Sequence, residues 1–134
     1  MLNPRDYWQK VPKIWKPFWH FYNTPISSEP DHADNPLRML RQLVSERDFV
    51  AFKLDIDHPD TEMPIALSLL ANGGDGALVD EFFFELHFRC EVMTSCGWGK
   101  RVPANSHGLE LDRPTVLQFF IDLRKRGIRA HIWP

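Results

Sequence analysis

The sequence predicts an α/β fold with a short, mainly parallel sheet, preceded by an irregular N-terminal arm. Three observations predict it. From residue 35 onward, apolar residues switch between helical spacing and strand-like alternation in the order αβαβαβ, and strands joined through helices pair in parallel by right-handed crossovers. The 134 residues are 43% hydrophobic and 13% aromatic, enough for one domain with a single core. Residues 1–34 break the pattern, holding three of the five tryptophans and five prolines.

The arm spans residues 1–34 and the folded part residues 35–134. Proline density in the arm forbids a long helix, and its rings are too many for a flexible linker. Trp8, Trp15, Phe18, Trp19, Phe21 and Tyr22 are therefore expected to pack on something, either their own domain or a partner. Asn35-Pro36 reads as an N-cap followed by a first-turn proline, with Leu37, Leu40, Leu43 and Val44 at helical spacing behind it. A strand over 49–57 follows, with Val50, Phe52, Leu54 and Ile56 on one face and Lys53, Asp55 and Asp57 on the other.

Helix signals resume at Asp60 or Thr61. Met63, Ala66, Leu67 and Leu70 form one face, Pro64 falls within the first turn, and Gly73-Gly74 stop the helix. A second strand is expected over 81–88, with Phe82, Phe84, Leu86 and Phe88 opposite Phe83, Glu85 and His87. The loop over 89–111 holds Cys90, Cys96, Trp98 and His107, and loops of that length usually serve function or contact partners. Asp112 then caps a helix with Val116, Leu117, Phe120, Ile121 and Leu123 inward, a basic last turn (Arg124, Lys125, Arg126) and Gly127 beyond it. A third strand, 128–133, ends the alternation.

Composition removes several function classes. A net charge of −2 gives no electrostatic footprint for nucleic acid, and the Arg124–Arg126 run matches a helix dipole. No apolar run approaches the roughly 20 residues of a membrane helix. The first eight residues have no apolar core of a secretory signal, and two cysteines are too few for a disulfide scaffold. The expectation is an intracellular chain with reduced thiols and no membrane span.

The chemistry-bearing residues collect at the ends of the first two strands, where open α/β sheets place their ligands. Asp55 and Asp57 form a D-x-D that reads three ways. It can hold a divalent cation bridging phosphates, act as a nucleophile and acid pair, or form a polar lip that caps the next helix together with Asp60 and Thr61. With the strands adjacent and in register, Lys53, Asp55, Asp57, Glu85 and His87 converge, and such a cluster can perform acid–base work or bind a metal. The alternative is that Lys53 neutralises Asp55 or Glu85 in a structural ion pair. The Cys90-x5-Cys96 spacing beside His87 matches no common zinc pattern. His131 and Trp133 read as packing residues.

Lys53-Leu-Asp-Ile-Asp57 and Glu85-Leu-His87 resemble the Lys-Ile-Asp-Val-Glu-Gly-like and Glu-x-His-like strand ends of FkbM-type class I methyltransferases. Phe21-Tyr-Asn-Thr-Pro25, Asn35-Pro-Leu37 and the terminal Gly127–Pro134 run are similar to a group of uncharacterised algal and protist methyltransferase-like proteins. The resemblance covers roughly residues 20–134. It implies a partial Rossmann-like, three-layer fold equivalent to the C-terminal half of that domain. The family's glycine after the strand is His58 here. The glycine-rich turn that would hold S-adenosylmethionine after the family's first strand has no counterpart, because Gly73-Gly74-x-Gly76 terminates a helix.

Two functions follow as expectations. The first is a methyltransferase-like half domain with no cofactor of its own, serving as an interaction or structural subunit whose 49–57 edge is covered by the arm, a partner chain or a second copy. The second is an S-adenosylmethionine-dependent methyltransferase completed by another chain, with Asp55, Asp57, Glu85 and His87 at its site. A weaker third is a D-x-D phosphoryl or glycosyl transferase.

Overall fold

The computed structural model describes residues 4–45, 47–89 and 102–133. Cys90, Cys96 and Trp98 lie outside them. In chain order the elements are α1 (Pro4–Lys10), a 3-10 turn (Lys16–Phe18), α2 (Pro36–Leu43), β1 (Ala51–Leu54), α3 (Pro59–Ser68), a second 3-10 turn (Asp75–Leu78), β2 (Glu81–Phe84), β3 (Asn105–Ser106), β4 (Leu109–Glu110), α4 (Arg113–Lys125) and β5 (Arg129–Ile132).

The expected αβαβαβ order holds, and its three strands pair in parallel in the order β1-β2-β5. Phe52, Phe82 and Ala130 stand side by side, as do Leu54, Phe84 and Ile132. The strands are shorter than their apolar runs. Ladder bonds continue just past them, from Glu85 N–H to Leu54 C=O (3.2 Å) and from Trp133 N–H to Phe84 C=O (2.9 Å). Within the 89–111 loop, β3 and β4 form a small antiparallel hairpin turned by His107 and Gly108, both at positive φ.

Cap chemistry sets the helix starts. The Asn35 side chain accepts from the Leu37 and Arg38 N–H groups (3.0 and 2.9 Å) and donates to Ser27 C=O (3.1 Å). It thereby ties the end of the arm to α2. Asp112 caps α4 by accepting from Thr115 N–H at 2.8 Å, which holds its carboxyl below the usual range. Helix α3 departs from expectation. Its N-cap is His58, without a side-chain cap bond, because Pro59 takes the first helical position that proline favours. Asp57, Asp60 and Thr61 are therefore not caps.

The buried strand positions all lie on one face: Val50, Leu54, Phe82, Phe84, Leu86, Ile128 and Ala130. They join Met63, Ile65, Ala66 and Leu69 from α3 and Val116, Phe119, Phe120 and Leu123 from α4 in one cluster. Rings interlock there, Phe52 with Phe82 (centroids 5.6 Å) and Phe84 with Phe119 (6.5 Å). Leu117 and Ile121 were expected inward but are 41% and 43% exposed; Phe119 fills the stripe instead. Ile56 likewise lies exposed rather than with Leu54.

The opposite face carries Ala51, Lys53, Glu81, Phe83, Arg129 and His131, none of them buried. The expected three layers are thus two among the described residues, a sheet with its core on one side. Phe83 stacks on His131 (4.7 Å) and meets Trp133 edge-on (5.9 Å). Lys53 lies over the Trp133 ring at 4.4 Å and Arg129 over Phe49 at 5.2 Å.

Candidate functional site

The site is built by two strand ends and a turn. Because Leu54 stands beside Phe84, continuing the register by one residue brings Asp55 to Glu85, and by three brings Asp57 to His87. The turn after β1 holds Asp57 at φ 56, a left-handed conformation that aspartate tolerates better than most residues. The turn is held from beneath by Glu62. That side chain, in a residue 2% exposed, accepts from the Ile56 N–H (2.8 Å) and the His58 N–H (3.2 Å). Burial nonetheless keeps the Glu62 carboxyl above its ordinary range.

The five expected residues do come together, in two groups that share Glu85: Lys53, Asp55 and Glu85, and Asp57, Glu85 and His87. Asp55 accepts from Lys53 Nζ at 2.6 Å and shares a hydrogen bond with Glu85. That shared bond, with Lys53 after it, pushes the Asp55 carboxyl down. The same bond, followed by burial, pushes the Glu85 carboxyl above its ordinary range. Next to them His87 Nε2 lies 3.3 Å from Asp57 Oδ1, its side chain 13% exposed against 67% for Asp57. One ligand-capable atom each from Asp57, Glu85 and His87 lie within 4.8 Å of one another.

Of the D-x-D pair, only Asp57 belongs to that group, since Asp55 is engaged by Lys53. The cluster opens onto a cavity of about 160 Å³ lined by Asp57, Glu62, Glu85 and His87 on its polar side and by Met63, Phe84, Leu86, Val102 and Leu111 on its apolar side. Such a mixture of apolar wall and few convergent polar groups is what small-ligand sites share. Sequence reasoning missed Glu62. A signal existed, an acid one turn into a helix, from where a carboxylate reaches back to the N-cap N–H as in a capping box.

Gly73-Gly74-Asp75-Gly76 follows α3 and leads through a 3-10 turn into β2, so it stands at a helix end, as expected. A second glycine pair, Gly97-Trp98-Gly99, lies outside the described residues. His131 is a packing residue as expected, stacked on Phe83 and bonded to Glu81 at 2.9 Å.

The arm forms a second surface. Residues 26–35 dock on the domain: Ile26 packs on the core, and Arg41 bonds Pro30 C=O and Asp75 at 2.7 Å. Farther toward the N-terminus the rings contact one another, Trp8 with Trp19 (6.1 Å) and Trp19 with Phe21 (5.8 Å, stacked). Lys16 lies over Trp8. Trp15, Phe18 and Tyr22 are 61%, 77% and 61% exposed. A cleft of about 600 Å³ opens between Arg5, Trp8, Trp19 and Phe21.

Among the described residues no helix is long and apolar enough to cross a membrane. Comparison of the chain with protein-family models, with curated proteins and with solved structures finds no match.

Proposed function

We propose that this chain is a methyltransferase-like, partial Rossmann-like half domain that serves as an interaction or structural subunit of a larger assembly, with no catalysis of its own. The observation that carries the reading is the face of the parallel sheet that the described residues leave uncovered. Parallel sheets are almost always covered on both faces, yet here Phe83, His131 and Trp133 stand beside Lys53 and Arg129 on a face that has no buried position among the described residues. Rings interleaved with cations and flanked by polar residues are the composition of protein–protein contact surfaces. The exposed rings of Trp15, Phe18 and Tyr22 in the arm point the same way.

The convergence of Asp55, Asp57, Glu85 and His87 favours a second reading, an S-adenosylmethionine-dependent methyltransferase site completed by another chain. Calorimetry on this chain with S-adenosylmethionine separates the two. The proposal predicts no saturable heat, and micromolar binding overturns it. Replacing Trp15 and Trp19 by alanine is expected to release a co-purifying protein partner while the chain stays folded by circular dichroism.

A further inference from the structure

We infer that Asp57, Glu85 and His87 form a binding site for one divalent transition-metal cation at the C-terminal edge of the sheet. This does not rest on the interaction-subunit reading, because the argument uses only the geometry of the two strand ends. One donor atom from each residue already lies within 4.8 Å of the others. Donors bound to one cation at about 2.0–2.2 Å stand about 3–4 Å apart, so closure needs shifts of about an ångström or less. The His87–Asp57 separation of 3.3 Å is within that range without any shift.

The imidazole distinguishes this group from an acidic surface patch. The His87 side chain is mostly enclosed, which aims Nε2 at the carboxylates instead of at solvent. Charge at the cluster is also unbalanced. The carboxyl groups of Asp55, Asp57, Glu62 and Glu85 surround it, and the one lysine bonded there among the described residues, Lys53, is committed to Asp55. The adjoining cavity leaves room for the waters or ligand that would fill the positions three protein donors leave open.

One imidazole nitrogen with two carboxylate oxygens is a borderline donor set. It suits Mn²⁺, Fe²⁺, Co²⁺ or Zn²⁺, whereas Mg²⁺ and Ca²⁺ favour oxygen alone. The test is a titration of the full chain with MnCl₂, followed by electron paramagnetic resonance, and with ZnCl₂, followed by calorimetry. One saturable site per chain is expected. D57N and H87N are each expected to weaken it by at least about tenfold, and C90S/C96S to leave it unchanged. Asp57 is exposed, so D57N decides the matter should H87N fail to fold. No saturable binding at millimolar metal, binding that D57N leaves intact, or binding lost in C90S/C96S would each overturn the inference.

Discussion

Glu62 shows how one side chain holds the site together. Its carboxylate satisfies two backbone N–H groups of the turn that presents Asp57. Glu62→Gln leaves one of them facing an amide N–H₂, and an unmet buried donor costs about 1–3 kcal/mol. The pH dependence has a definite sign. Because burial raises the folded-state value above the ordinary 4.5, the Glu62 contribution is fully present below pH 4.5 and is lost as pH rises through the folded value. The deficit of E62Q relative to the parent chain should therefore be larger at acid pH than at pH 7, measured by urea denaturation at both. A deficit that grows toward pH 7 contradicts this assignment. Glu62 was not legible as a site residue, because its role depends on a turn that brings Ile56 and His58 over the helix start. Asn35, by contrast, was legible, since an asparagine before a proline states its capping role locally.

Among the elements, the helices and strands were readable in order and type, but their faces were less so. In α4 the sequence offers two overlapping stripes, Val116-Phe120-Leu123 with Phe119, and Leu117-Ile121 one position on. Only packing against β5 and Phe84 chooses between them. Leu123→Ala removes a side chain that is completely buried and is expected to cost about 2–5 kcal/mol. Leu117→Ala, on the exposed flank, should stay within about 0.5 kcal/mol. Equal effects in chemical denaturation would mean that the helix is rotated. The strand runs were overextended for a related reason. Residues 55–57 and 85–88 keep the alternation, but the chain turns to place their polar side chains at the sheet edge, and the ladder stops. The convergence of Lys53, Asp55, Asp57, Glu85 and His87 was legible because parallel register carries strand ends together. Its division into a Lys53–Asp55–Glu85 group and an Asp57–Glu85–His87 group was not, since that needs side-chain geometry.

For the whole molecule, the informative feature is asymmetry. Among the described residues, the helices that bury side chains join one core cluster with one face of the sheet, and the other face presents Phe83, His131 and Trp133 among Lys53, Glu81 and Arg129. From the sequence, an association surface is expected on the β1 edge and in the arm. An open sheet face is not, because alternating Phe82, Phe83 and Phe84 read alike whether one side is covered or both. An open aromatic face contributes little to the isolated fold, so Phe83→Thr with Trp133→Thr should cost the folded chain little. In an assembly the same rings would be central and desolvated, where truncation typically costs more than about 2 kcal/mol of binding. The direct measurement is therefore native isolation of the tagged chain, with the size and composition of what travels with it, for the parent and for F83T/W133T. The interaction-subunit account predicts a complex of fixed stoichiometry with the parent chain and a folded, solitary chain with the variant. A parent chain that travels alone, or a variant that keeps its partners, would contradict it.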